Sequence, residues 1–111
     1  MTESFIYITA PSVAEATRIG QALVEERLVA CVNIIDKMQS IYWWQGKVEQ
    51  SAEVVLIAKT RTELVEPLIA RVKELHPYEC PCVIALPITA GNPEYLAWIQ
   101  SETHPPGERP V

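Results

Sequence analysis

The sequence is poor in the patterns that mark nucleotide loops, nucleic-acid contacts and membrane spans. It has four glycines in 111 residues, and none of them forms a phosphate-binding loop. Nine basic against fourteen acidic residues give a net charge of −5 without a basic run, which argues against a nucleic acid or an anionic membrane as partner. No apolar stretch approaches the ~20 residues of a membrane span, and the first ten residues lack the basic region of a signal peptide. We therefore expect a cytoplasmic protein.

Catalytic motifs and a disulfide framework are missing as well. The chain has no HExxH motif and no motif of nucleophile, histidine and carboxylate, so the sequence predicts a protein that is not an enzyme. Three cysteines are an odd number, which argues against paired disulfides. On an extended strand Cys80 and Cys82 would lie about 6.6 Å apart at Cα, near the upper limit for a bridge, and we expect reduced thiols.

What is present is an alternation of strand and helix patterns. β-branched and aromatic runs predict strands at 5–9, 30–44, 47–60 and 80–88. Helices are predicted at 13–27 after a capping box that begins at Ser12, at 62–76 with a regular part delayed by Pro67, and after the N-cap Asn92-Pro93. The order β-α-β-β-α-β with an extra C-terminal helix predicts an α+β, ferredoxin-like sandwich. Residues 1–103 form this single domain, and the proline-rich tail 104–111 is not expected to be helical.

The second and third strands predict a long hairpin that bends or projects. Fifteen residues at about 3.3 Å each would span roughly 50 Å, whereas a domain of this size has a radius of gyration near 13 Å. Aromatic and apolar residues at 41–44 alternate between the two faces of this ribbon, which has no second layer of its own. A neighbouring subunit is the expected cover, and packing of these aromatics on the chain's own helices is the alternative.

A polar cluster at 76–82 separates the second helix from the last strand. His76 precedes Pro77, which ends the helix, and a histidine at this end of a helix is favoured in its protonated form. Imidazole and thiolate groups suit copper and zinc, so His76, Cys80 and Cys82 are candidate metal ligands. His76 can equally serve as a helix cap.

Lys59 stands at the end of an otherwise apolar strand. An unpaired buried ammonium group is costly, so Lys59 needs a carboxylate partner or a bound anion. Glu49 and Glu53 lie on one face of the same ribbon, and either of them could pair with Lys59 within a subunit or across a boundary. We expect Lys59, Glu49 and His76 to converge at a subunit boundary.

Five separated motifs together resemble the CutA family of divalent cation tolerance proteins. They are Ala-Cys-Val-Asn-Ile at 30–34, Tyr-Trp-Trp-Gln-Gly-Lys-Val-Glu at 42–49, Lys-Thr at 59–60, His-Pro-Tyr-Glu at 76–79 and Tyr-Leu-Ala-Trp-Ile at 95–99. The resemblance implies a cytoplasmic homotrimer with a fold similar to the PII signalling proteins and an association with copper and other divalent cations. It also implies an intersubunit ligand cleft formed by His76, Tyr78, Glu49, Glu53, Lys59, Trp44 and Cys31. For Cys31, which lies between two apolar residues of a strand, packing is the alternative.

The sequence departs from the family pattern at the implied copper ligands. Leu75 stands where some members have a second histidine beside the first, and the first strand carries Ile8-Thr9 and no cysteine. We therefore expect a non-enzymatic trimer that requires no cofactor and binds divalent metal ions such as Cu²⁺ weakly. Two alternatives remain open: a PII-like regulator that binds a small anionic metabolite or nucleotide at the subunit cleft, and a stable trimeric scaffold.

Overall fold

The computed structural model describes residues 2–105, which form four strands, three α-helices and a short 3₁₀ turn. In chain order the elements are β1 (Glu3–Ala10), α1 (Val13–Glu25), β2 (Cys31–Trp44), β3 (Lys47–Arg61), the 3₁₀ turn (Thr62–Leu64), α2 (Val65–Leu75), β4 (Val83–Pro87) and α3 (Pro93–Ser101). The tail residues 106–111 lie outside the described part. The predicted order of elements is confirmed.

The four strands form one antiparallel sheet in the order β2-β3-β1-β4. In this arrangement β1 and β3 are central while β2 and β4 are the edges. The two halves of the chain therefore interleave, as the ferredoxin-like prediction requires.

Local capping determines both ends of α1. Its N-cap Ser12 accepts a hydrogen bond from the Glu15 N–H at 3.1 Å, as the capping box predicts. The helix ends at Glu25, two residues before the predicted boundary. Arg27 adopts a φ of 62°, and the Leu28 N–H returns to the Leu23 carbonyl at 3.0 Å, so a left-handed residue closes the last turn.

One face of the sheet and the two helices α1 and α2 enclose the core. Its fully buried side chains alternate along the central strands and recur at helical spacing, and they include Ile6, Ile8, Ile19, Leu23, Leu56, Ala58, Leu68 and Val72. Burial of each large aliphatic side chain stabilises the fold by about 1.5–3 kcal/mol. The strand residues between these core positions point to the opposite face of the sheet. That face is covered only in part.

Helix α3 covers one end of this opposite face. Asn92 caps it by accepting a hydrogen bond from the Glu94 N–H at 3.1 Å, and Pro93 occupies the first turn as predicted. At its other end the Arg61 guanidinium donates to the carbonyls of Gln100 and Thr103. Further along the face Ile84 and Leu86 remain about half exposed. The sheet is therefore left with an uncovered apolar surface.

The β2–β3 hairpin both bends and projects. The strands remain paired up to the turn at Gln45-Gly46, and a bulge interrupts their register between Ile35 and Met38, where Lys37 has a φ of 67°. The molecule extends 49 Å along its longest axis against 29 and 22 Å along the others. At the tip Trp43 is 75% exposed, so the ribbon (residues 38–51) does not fold back on the chain's own helices.

The last strand is shorter than predicted. It was expected at 80–88, but it runs from Val83 to Pro87 and pairs with residues 4–8 of β1. The Thr9 carbonyl, which would accept the next ladder bond from residue 82, instead accepts a hydrogen bond from His76 Nε2 at 2.7 Å. The prediction that Cys80 and Cys82 share one face of a strand is therefore wrong.

The other boundaries differ little from the predictions. The 3₁₀ turn occupies the predicted start at residue 62, and the regular helix α2 begins at Val65, two residues before Pro67. Its C-cap His76 adopts an extended conformation, as expected before a proline. Among the described residues, no helix is both long enough and apolar enough to cross a membrane.

Candidate functional site

A groove of about 600 Å³ lies between the ribbon and the segment that connects α2 to β4. The ribbon contributes one wall, residues 78–82 contribute the other, and Tyr7, Thr9 and Glu53 lie between them. The complete lining is Tyr7, Thr9, Met38, Gln39, Ser40, Ile41, Tyr42, Trp44, Glu53, Tyr78, Glu79, Cys80 and Cys82. Its volume is in the range of small-molecule sites.

Glu53 and Tyr78 form a polar contact across the groove. Glu53 is only 8% exposed, and its Oε2 accepts a hydrogen bond from the Tyr78 hydroxyl at 2.9 Å. Burial raises the pKa of Tyr78, and the hydrogen bond to Glu53 and its charge raise this pKa further. The phenol of Tyr78 therefore remains neutral and donates its hydrogen bond to the Glu53 carboxyl group.

His76 lies behind this pair and is 7% exposed. Its Nδ1 accepts a hydrogen bond from the Tyr78 N–H at 3.1 Å, which assigns the proton to Nε2, the atom that donates to the Thr9 carbonyl at 2.7 Å. The ring is thus neutral, and the protonated form expected at a helix end is not the one these contacts favour. Because both nitrogens are engaged, His76 could bind a metal only by giving up a hydrogen bond.

The two cysteines of this segment both reach the groove. Cys80 is exposed and Cys82 is half-buried. Burial raises the pKa of the Cys82 thiol, and the nearby Glu53 carboxylate raises it further, whereas a hydrogen bond with Thr9 opposes the shift. Within residues 2–105, no three His, Cys, Asp or Glu side chains are close enough to form a metal site. The candidate ligands His76, Cys80 and Cys82 therefore do not form a metal site in the described part of the chain.

Of the two ribbon residues predicted to form the cleft, one lines the groove and the other does not. Trp44 lines the groove, whereas Glu49 is exposed opposite Tyr42 and lies outside the lining. Three residues of the predicted set, Trp44, Glu53 and Tyr78, are therefore brought together within one chain.

Lys59 and Cys31 belong to a separate cluster at the other end of β3. The Lys59 Nζ donates to Asn33 Oδ1 at 2.9 Å and lies 5.7 Å from the centre of the Tyr95 ring. The Cys31 Sγ is 3.5 Å from the Tyr95 hydroxyl, and the bond between them raises the pKa of Tyr95. Among the described residues the ion pairs do not include Lys59.

The expected pairing of Lys59 with Glu49 or Glu53 within one chain is therefore wrong. Lys59 and Glu49 are ten residues apart on one strand, which corresponds to about 33 Å. An amide oxygen and an aromatic ring stabilise the ammonium group instead of a carboxylate. Convergence of these residues across a subunit boundary stays a prediction.

Several lining residues were not singled out from the sequence. Tyr7 and Thr9 alternate with the core residues Ile6 and Ile8, so strand periodicity alone assigns them to the opposite face and could have identified them. Met38 follows the bulge and accepts a hydrogen bond from the Tyr7 hydroxyl at 3.4 Å. No local signal predicts this bulge, so the position of Met38 could not be foreseen.

Comparisons with known proteins agree with this fold along nearly the whole chain. Residues 4–102 match a family model described as CutA1 divalent ion tolerance protein. The chain is 50% identical over 101 residues to a divalent-cation tolerance protein CutA from Thermus thermophilus, with 91% of this chain and 98% of that protein covered. A crystal structure of CutA1 from Oryza sativa superposes with a TM-score of 0.91 at 42% identity, covering 94% of this chain and 95% of that one.

Some relatives are longer than this chain. A rice protein named CutA 1, chloroplastic, is 45% identical over 98 residues, and the match covers 88% of this chain but only 55% of that protein. The shared region corresponds to the ferredoxin-like domain. From the family model and these similarities, the chain belongs to the CutA1 divalent ion tolerance protein family.

Proposed function

We propose that this protein is a homotrimeric, non-enzymatic divalent-cation tolerance protein that binds metal ions weakly. The metal proposal is supported by the groove, which two thiols and two carboxylates line, although no three such side chains within residues 2–105 are close enough to hold a metal ion tightly. Thiolates and carboxylates are metal ligands, but they must be deprotonated and held in place to bind tightly. The raised pKa of Cys82 and the engaged His76 ring both favour weak binding.

The assembly proposal is supported by the uncovered apolar surface. Trp43, Ile41 and Val48 are more than half exposed at the ribbon, and Ile84 and Leu86 are about half exposed on the open face of the sheet. Exposed apolar side chains in such numbers are typical of subunit interfaces. The number of three subunits comes from the family resemblance.

The groove favours cations over the anionic ligand of the regulator alternative. Among its described lining residues there is no Lys, Arg or His, whereas Glu53 and Glu79 are present. Lys59, the residue that suggested an anion, is already bonded to Asn33 outside the groove. A nucleotide or a phosphorylated metabolite would therefore meet like charge in the groove.

Isothermal titration of the reduced, assembled protein with Cu²⁺ and Zn²⁺ tests the metal proposal. The variant carrying both Cys80→Ser and Cys82→Ser should lose most of the affinity, whereas Cys31→Ser, outside the groove, should retain it. We expect dissociation constants well above the nanomolar range. A nanomolar site, or binding that is unchanged in the double variant, would contradict the proposal. Absence of heat with metals, nucleotides and metabolites alike would favour the scaffold alternative.

A further inference from the structure

The groove combines negative charge with aromatic surface, and this combination is not explained by weak metal binding. Its described lining contains two carboxylates and no basic side chain. The aromatic lining residues are Tyr7, Tyr42, Trp44 and Tyr78. They come from β1, from the ribbon and from the α2–β4 connection, so aromatic side chains line the groove from several elements.

Glu53 places a partly desolvated charge within this aromatic lining. It is 8% exposed, and within the described part of the chain its side-chain hydrogen bond is the one from the Tyr78 hydroxyl to Oε2. The second oxygen, Oε1, does not take part in that bond. A carboxylate removed from water is stabilised by a positive charge, and the nearby described side chains of the groove do not supply one.

The surroundings of Glu53 suit a large, weakly hydrated cation better than tight coordination of a metal dication. A small dication retains water and requires several oxygen or soft ligands at fixed distances, and no three such side chains cluster within residues 2–105. Aromatic faces, in contrast, attract ammonium groups through the negative potential of the ring. The volume of about 600 Å³ is large enough for an organic molecule.

We propose that this groove binds an organic ammonium ion, with the Glu53 carboxylate as its counter-charge and with the Trp44 and tyrosine rings in contact with its apolar substituents. The ligand differs from the metal ions of the proposed function, and the binding residues differ from the cysteines tested there. Failure of either proposal would therefore leave the other standing.

Calorimetry and saturation-transfer NMR on the assembled wild-type protein test the proposal. The probes are benzyltrimethylammonium, choline and 3,3-dimethyl-1-butanol, the last being the neutral isostere of choline. The account predicts saturable binding of benzyltrimethylammonium and a preference of about tenfold or more for choline over its neutral isostere. Glu53→Gln should weaken binding of both cations by about tenfold and leave the neutral isostere unchanged. Glu66→Gln, on the exposed side of α2, removes the same charge elsewhere and should change nothing.

Three results would overturn the proposal. Equal affinity for choline and its isostere would mean that the groove recognises only apolar shape. Cation binding that is unchanged in Glu53→Gln would place the site elsewhere. Absence of saturable benzyltrimethylammonium binding would mean that the groove is closed or filled by another copy of the chain. If Glu53→Gln does not fold, Trp44→Leu tests the same proposal. Loss of the aromatic ring should weaken binding of the cations more than binding of the neutral isostere.

Discussion

At the scale of single residues, His76 shows where sequence reasoning succeeds and where it ends. The following proline correctly marks the end of α2, because it disfavours helical geometry at the preceding residue. The role of the ring depends on the Thr9 carbonyl, 67 positions away in the chain, and on the Tyr78 N–H. A contact at that separation has no local signature, so the sequence left capping and metal binding as equal alternatives.

The contacts of His76 predict a structural role that can be measured. Replacement of His76 by Ala leaves the Thr9 carbonyl and the Tyr78 N–H without their partner, which should lower the free energy of unfolding by about 1–3 kcal/mol. Urea denaturation followed by circular dichroism measures this loss. His104→Ala removes the other histidine of the chain, whose ring makes no hydrogen bond with residues 2–105, and should be nearly neutral. A His76→Ala variant as stable as the wild type would contradict the assignment.

The two groove cysteines should differ in reactivity. At pH 8 we expect iodoacetamide to modify Cys80 about tenfold faster than Cys82, because only the thiolate reacts and Cys82 has a raised pKa and less exposure. Peptide mapping by mass spectrometry after timed quenching gives both rates in one experiment.

The same experiment tests why the pKa of Cys82 is raised. Glu53→Gln removes the negative charge that raises the pKa of Cys82, so it should increase the thiolate fraction and accelerate Cys82 while leaving Cys80 nearly unchanged. Acceleration of both cysteines would indicate local unfolding instead of electrostatics. Equal wild-type rates would contradict the burial of Cys82.

At the scale of elements, the boundaries with local causes were predictable and those with distant causes were not. Ser12 and Asn92 cap the two helices that the sequence assigned to them, because an N-cap acts within three residues. The length of β4 depends on which β1 carbonyls are free, and His76 occupies the one on Thr9. The bulge before Met38 likewise depends on the pairing of β2 with β3, and no glycine in this segment indicates it in the sequence.

The ribbon turn provides a stability test of one element. Gln45 and Gly46 have φ angles of 50° and 80°, the combination required by the two-residue turn of a twisted hairpin. Gly46→Ala should cost about 1–2 kcal/mol, because a Cβ is strained in this region even though no atom lies within 4 Å of it.

Thermal or urea unfolding measures this cost, and the control is an alanine substitution at a glycine of ordinary backbone conformation. In Gly91→Ala the added Cβ would meet Leu96 at an ordinary contact distance of 3.4 Å, so this control should be close to neutral. Equal losses in both variants would show that turn strain is not the cause.

At the scale of the whole molecule, the ferredoxin-like topology was predictable in full, because each element has its own periodicity and their order permits few sheets. The site was predictable only in part. Glu53, Tyr78 and Trp44 line one groove, whereas Lys59 and Cys31 form a second cluster near Tyr95. The bend of the ribbon decides which residues converge, and that bend depends on the unforeseen bulge.

The exposed ribbon predicts that assembly depends on its tip. Trp43→Glu should raise the subunit dissociation constant by at least about tenfold, since a large aromatic at an interface commonly contributes 2 kcal/mol or more. Val13→Glu changes another exposed apolar residue, on α1 and 43% exposed, and should leave the assembly intact. Sedimentation velocity across a dilution series measures both. Dissociation that is unaffected by Trp43→Glu would remove the ribbon from the interface.

Native mass spectrometry of the reduced wild-type protein during a Cu²⁺ titration tests whether the protein is a trimer that binds divalent cations weakly. Subunit number and bound metal are then obtained from the same ions. We expect a trimer at every copper concentration, with copper uptake that rises gradually and falls when Cys80 and Cys82 are both replaced by Ser. A monomer or dimer without copper, or uptake that the double replacement does not change, would contradict it.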